Sequence, residues 1–412
     1  MSLVVGLVCP RCDTRYPIAP MHEGCPACAD DAFRSGVTPE YDLDAVRASL
    51  SGGPLAEAGA GIWQFRRLLP LADEAHEVSL GEGRTALVTT PTLAEELDAT
   101  AVWVKDESRN PTWSFKDRNA AVAVSMAAAF GARVVVASSS GNHGAAVAAY
   151  AARAGLGCVV VTYPGIPQVA ADHIRAYGAR LVITSRAGRW SLLREGVRER
   201  GWYPVTNLTE IPTNDAYGHE GYKAIAYELF DELRGELPDY VVVPTGYAEG
   251  LFGIWKGFDE LVSLGLAVRV PRLIACEPVG GPLGEARRLG VPIARVEPHP
   301  TIARGIGAAV SSYIGNVAIE RSGGVVAQAD DTAIRRAQAD LASAGIYLEP
   351  AAATTLAGVR ELARLRALPR GARIVLIGTS AGLRNPASVA TELPAEIAPT
   401  LEAFDAGFSA VA

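Results

Sequence analysis

The chain is poor in several features that would restrict it to particular classes. Nowhere do about 18 apolar residues run together without charge, so no membrane-spanning helix is expected. The N-terminus, MSLVVGLVCPRC, offers a six-residue apolar stretch without a basic start or a small-residue cleavage pattern. That is not a secretory signal, and a reducing, cytoplasmic setting is the expectation. Basic excess is missing too: 38 Lys and Arg against 45 Asp and Glu give a formal net charge of -7. The positive surface that nucleic acid or an anionic membrane requires is therefore not expected, and the charge says nothing about a small substrate. Internal repeats and low-complexity linkers are also absent, while 412 residues with 49% apolar and 20% charged side chains suit a soluble globular protein of two or three domains.

Cysteine is scarce but not scattered. Four of the six fall in two pairs, Cys9/Cys12 in CPRC and Cys25/Cys28 in CPAC, with twelve residues between the pairs. Two such knuckles supply four thiolates, suited to a structural Zn²⁺ with no open position for catalysis. Two disulfides are the rival reading and fit less well with a chain that carries no secretion signal. Residues 1–34 are thus expected to form a zinc ribbon, with Cys158 and Cys276, in apolar runs, as core thiols.

Residues 35–75 mix short polar and Gly/Ala segments and read as a wrapping arm with little core of its own. From about residue 100, β-branched runs (AVWVKDE, ARVVVASSS, CVVVTYP, RLVITS, DYVVVPTG, RLIACEP, GGVVAQA, ARIVLIGTS) alternate with Ala/Leu-rich amphipathic stretches. Short apolar strands separated by helices mean βαβ units, parallel sheets buried on both faces, and an α/β fold.

In such folds ligands sit beyond the carboxyl ends of the strands. Four segments there carry unusual residues. SSSGNHGAA (138–146) opens a helix with small residues suited to a carboxylate or phosphate. PTGYAEGLFGIWKGF (244–258) has the glycine-flanked turn of a phosphate nest, though neither a Walker loop nor GxGxxG. IGTSAGLRNP (377–386) ends a strand in hydroxyls, able to hydrogen-bond a heterocyclic nitrogen without protonating it. NPTWSFKDR (110–118) places Lys116 at the mouth of a helix. Each taken alone could be a plain strand-to-helix connection, and Asp117 and Arg118 are expected to form a structural pair. Together, a lysine, a phosphate cradle, an anion loop and a strand-end hydroxyl are the parts that hold pyridoxal 5'-phosphate as a Schiff base.

With these motifs, and with KDE (105–107), AAYAARAG (148–155), EGYKAIAYEL (220–229), TIA (301–303) and GIYLEPAAATTLAG (345–358) in the same order, the chain resembles the threonine synthase branch of the fold-type II pyridoxal-phosphate enzymes. That branch sits beside threonine and serine dehydratases and cysteate synthase. The resemblance implies two domains with twisted, mostly parallel sheets. It assigns residues 35–116 to an arm and the first part of the large domain, 117–215 to a small mobile domain, 216–395 to the large cofactor-binding domain and 396–412 to a tail. It makes Lys116 the Schiff-base lysine and catalytic base, Asn142 the partner of the cofactor O3', and Thr379 the partner of its ring nitrogen. Gly246, Tyr247, Ala248, Glu249 and Gly250 become its phosphate loop, with the Glu249 carboxylate expected to face away.

Ser139, Ser140, Gly141 and His143 become the substrate-carboxylate loop. Relatives have glycine at Trp113, threonine at His143, and a phosphate-binding arginine where this chain has Gly218. His219 and Arg304 are the nearby cations in this sequence. The implied activity is a lyase acting on an amino acid by elimination or replacement at its β or γ carbon, in a homodimer. Dehydratase-like or cysteate synthase-like chemistry, and a non-catalytic binding module of the same fold, are the alternatives.

Overall fold

A computed structural model describes residues 2–50, 52–385 and 396–407. Pro386 of the strand-end motif and residues 408–412 of the expected tail lie outside the described residues.

Among the described residues, three sheets organise the chain. The N-terminal one is antiparallel, in the order β2-β1-β3, from β1 (Val4–Val8), β2 (Arg15–Tyr16) and β3 (Thr38–Tyr41). The largest has six strands in the order β12-β11-β10-β13-β5-β4, from β4 (Leu87–Thr89), β5 (Ala101–Asp106), β10 (Tyr240–Pro244), β11 (Arg272–Pro278), β12 (Val325–Ala329) and β13 (Arg373–Gly378). All its pairings are parallel except that of β4 with β5. A smaller parallel sheet, β8-β7-β6-β9, holds β6 (Val134–Ser138), β7 (Gly157–Thr162), β8 (Arg180–Ile183) and β9 (Tyr203–Pro204). Each β-branched run named from the sequence is one of these strands.

Alternation along the central strands feeds two cores. Val241, Val243, Val375 and Ile377 face one apolar cluster, whereas Val242, Ile374 and Leu376 face another. Successive residues of a strand point to opposite faces, so a near-continuous apolar run is what a sheet covered on both sides demands. The arm adds to the first cluster with Ile62, Trp63, Phe65, Leu68 and Leu69, so its apolar residues are buried against the main body. Cys276 is buried in β11 and Cys158 is partly buried in β7, where burial lifts its thiol to about 12.

The helix Lys116–Ala129 is buried along nearly its whole length, its alanines allowing close packing on both sides. One expectation for its first turn is corrected here. Asp117 and Arg118 do not pair with each other. The Asp117 carboxylate accepts from the Thr112 N–H and Oγ1, both at 2.7 Å, whereas Arg118 donates to Glu107 at 2.7 and 2.8 Å and to Glu228 at 2.7 and 2.8 Å. Adjacent helical residues point about 100° apart, so each found its own buried partner.

In the N-terminal sheet region the Cys9 and Cys28 sulfurs lie 3.7 Å apart and those of Cys12 and Cys25 3.6 Å apart, all four within 4.8 Å of one another. These are not disulfides. A tetrahedron of sulfurs about 2.3 Å from zinc has edges of about 3.8 Å, so the cluster fits a structural zinc ion. A hydrogen bond from Thr14 lowers the Cys12 pKa to about 6, favouring the thiolate that a metal needs.

Candidate active site

Strand order brings the loops together. β10, β13 and β5 are neighbours in the large sheet, so the segments after their carboxyl ends, which carry Gly246–Gly250, Thr379 and Lys116, emerge side by side. The chain crosses between them in short steps: the Phe115 N–H donates to the Thr379 carbonyl at 2.9 Å and the Ala381 N–H to the Trp113 carbonyl at 3.1 Å. The fourth segment, after β6, comes from the smaller sheet. Its Asn142 Nδ2 donates to Ser380 Oγ at 3.1 Å and to Glu349 Oε1 at 2.9 Å, joining one sheet's loop to the other's.

Lys116, the first residue of its helix, is partly buried, with its Nζ 5.1 Å from the Phe115 ring centroid and 5.6 Å from that of Tyr222. Among the described residues its ion-pair partner is Glu249, 3.5 Å away. Glu249 thus faces the lysine, contrary to the expectation that it turns away. It is the first residue of the helix Glu249–Ser263, and Ala248 before it takes the left-handed conformation (φ 64°), which swings the chain so that this side chain points inward.

The same turn makes the cradle. Among the described residues the N–H groups of Tyr247, Ala248, Glu249 and Gly250 have no acceptor, and they stand at the positive end of a 15-residue helix. A Cβ on Gly250 would lie 2.7 Å from the Phe115 ring, so glycine lets the cradle approach the lysine segment. Gly246 lies against Gly305 and Ile306, which brings the stretch beginning at the exposed Arg304 beside the cradle. These features fit a pyridoxal phosphate: an amine within reach, free N–H groups for its phosphate, and Asn142 and Thr379 on adjoining segments.

The loop before Asn142 is only partly free. Ser139 Oγ accepts from the Gly141 N–H at 3.2 Å and the Gly144 N–H at 2.9 Å, shaping the turn, while Tyr163 donates to Ser140 Oγ at 3.3 Å. The N–H groups of Ser140, Asn142 and His143 have no partner among the described residues. His143 turns its ring aside, with Nε2 2.7 Å from the Val205 carbonyl, and burial and then Lys116 lower its pKa, so it is neutral. His219 is not brought to the cleft. It is 2% exposed, with Nε2 2.8 Å from Thr38 Oγ1 and Nδ1 3.2 Å from the Asp215 carbonyl.

Trp113 sits at φ 66°, in the left-handed region that glycine enters freely. Its ring is 47% exposed and lies 5.0 Å from that of His173. This chain thus carries a bulky side chain at strained geometry, at a position where the resemblance implies glycine.

Sequence reasoning gave no role to Arg384, Glu349 or His173, and only a strand-end hydroxyl to Ser380. Ser380 and Arg384 lie inside the strand-end motif and Glu349 inside LEPAAATT, so the motifs held them without showing what they touch. Arg384 Nε donates to Asn142 Oδ1 at 2.7 Å and Nη1 contacts His173 Nδ1. Burial raises the pKa of Glu349, opposed by its hydrogen bond from Asn142. His173 is held neutral, with a pKa lowered to about 4 by burial and by Arg384.

Comparison with known proteins gives the family. Residues 78–380 match the family model described as "Pyridoxal-phosphate dependent enzyme". The chain is similar to threonine synthase of Methanocaldococcus jannaschii (34% identical over 372 residues, covering 87% of this chain and 89% of that one). It is also similar to threonine synthase of Mycobacterium tuberculosis (33% over 334 residues, 80% and 90%). Among solved structures, a T.th. threonine deaminase superposes with a TM-score of 0.62 at 25% identity, over 72% of this chain and 92% of that one. A diaminopropionate ammonia lyase from Escherichia coli, at 19% identity and a TM-score of 0.65 over 76% and 88%, shares the fold. The chain thus belongs to the pyridoxal-phosphate-dependent enzymes and is a lyase of the threonine synthase family.

Proposed function

We propose that the chain carries out the threonine synthase reaction: the Cγ–O bond of O-phosphohomoserine breaks, inorganic phosphate leaves, and water adds its hydroxyl at Cβ to give threonine. The observation that carries the reading is the convergence of Lys116 with the Tyr247–Gly250 cradle and Asn142, in a chain similar to threonine synthases over most of its length. Pyridoxal phosphate, when bound, supplies an electron sink that makes the protons beside the amino group removable. Lys116 is the group that takes and returns those protons. The N–H groups of Tyr247 to Gly250 hold the cofactor phosphate, and Thr379 offers a hydroxyl to the ring nitrogen. That hydroxyl leaves the nitrogen unprotonated, which suits elimination and replacement over transamination. The free N–H groups of Ser140, Asn142 and His143 orient the substrate carboxylate, and Trp113 and Arg304 flank its side chain.

Residues 117–215 are the mobile part in this reading, closing to exclude water. The working unit is a homodimer in the cytoplasm, with neither nucleic acid nor membrane as partner.

A second reading, β-elimination from serine or threonine to a keto acid, is favoured by Trp113, a bulky, half-exposed side chain where the resemblance implies glycine, which suits a shorter substrate. Incubating holoenzyme with O-phosphohomoserine, serine and threonine, and assaying phosphate, threonine and keto acid, separates the two. Threonine and phosphate in equal amounts support the first reading, and keto acid from serine without either supports the second. Lys116→Ala should abolish turnover and the visible absorbance of bound cofactor.

A further inference from the structure

Arg384 is buried behind the site. It keeps 5% of its surface, whereas Gly141, Asn142 and His143 in front of it stay partly exposed. A guanidinium taken out of water is normally matched by a carboxylate within ion-pair distance, because the desolvation penalty is several kcal/mol. Among the described residues Arg384 has no such partner, and its Nη2 is buried with no acceptor at all. Its remaining donors go to two neutral acceptors, Asn142 Oδ1 at 2.7 Å and His173 Nδ1.

Arginine can only donate, so the oxygen of the Asn142 amide must face it. On its other side Asn142 meets acceptors, Glu349 Oε1 at 2.9 Å and Ser380 Oγ at 3.1 Å. Turning the amide over would set NH₂ against guanidinium and C=O against a carboxyl group. Arg384, which only donates, therefore enforces one orientation, with the NH₂ on the side of Ser380 and the lysine segment.

We propose that Arg384 is a positioning residue: it locks the Asn142 amide so that its NH₂, rather than its carbonyl, faces the phenolic oxygen of the cofactor, which takes over the N–H that now goes to Ser380 Oγ. This rests on the reading of Asn142 as the partner of that oxygen. A phenolate is stabilised by a donor and repelled by a carbonyl, so the lock sets both cofactor affinity and the protonation of the lysine–cofactor imine.

The test uses reconstituted holoenzyme of the wild type, Arg384→Met, Arg384→Lys, Asn142→Ala and the Arg384→Met/Asn142→Ala double variant. Cofactor affinity and the pH titration of its visible absorbance are followed, with circular dichroism to verify folding. Arg384→Met should weaken cofactor binding about tenfold and shift the titration midpoint, as expected for one misplaced hydrogen bond to a charged group. Arg384→Lys, which retains a donor, should recover most of both. In the Asn142→Ala background Arg384→Met should add little, since the two act as one unit. Wild-type affinity and midpoint in Arg384→Met, or an undiminished effect in the double variant, would overturn the proposal. If the wild-type protein takes up no cofactor, the functional reading itself fails, and the two failures are distinct.

Discussion

Trp113 offers the sharpest quantitative test, because its backbone and its ring make separable contributions. A side chain at φ 66° costs roughly 1–2 kcal/mol relative to glycine through the clash of Cβ with the following carbonyl. Its ring contact with His173, at a centroid distance of 5.0 Å, returns about 0.5–1.5 kcal/mol. Replacement by glycine relieves the first and loses the second, and adds about 0.5–1 kcal/mol of unfolded-state entropy. The terms nearly cancel, so Trp113→Gly should change stability by less than about 1 kcal/mol. Trp113→Ala loses the ring while keeping the strain, and should be about 1 kcal/mol less stable than Trp113→Gly. Denaturant unfolding of the three proteins measures this, and kcat/KM toward O-phosphohomoserine and serine measures what the ring does to substrate choice. A loss above about 3 kcal/mol in Trp113→Gly would refute the reasoning, because it would make the ring a core-packing element. Unchanged selectivity between the two substrates would refute its role in substrate choice.

Arg118→Met leaves Glu107 and Glu228 buried without their two-pronged partner, and should destabilise the protein by about 3–5 kcal/mol in denaturant unfolding. Zinc analysis should find one ion per chain, lost in Cys12→Ser. Its removal should raise hydrogen exchange at Leu7 and Val8, where β1 pairs with β2. Burial lifts Asp117 to about 7, so the folded chain holds a proton over a range where the unfolded chain has released it. That stability is full below the ordinary carboxylate range and is lost as pH rises through about 7, and Asp117→Asn should flatten this part of the stability–pH profile.

The sequence by itself determined the strands, since β-branched runs of that length can be buried only as sheet covered on both faces. It determined the sulfur cluster as well, because two CxxC knuckles bring four thiolates together almost regardless of what surrounds them. Lys116, the glycine turn and the strand-end hydroxyls were legible because each lies where a strand meets a helix, and the order of the strands then had few ways to keep them apart. Side-chain direction was not legible. The inward turn of Glu249 follows from the left-handed Ala248, and the withdrawal of His219 from its contacts with Thr38 and Asp215. Arg384 and Glu349 lie 242 and 207 residues from the Asn142 that they hold. Local patterns record which chemistry is present, whereas long-range packing chooses the partner of each buried polar group, because each must find a partner within a few ångströms or remain unsatisfied.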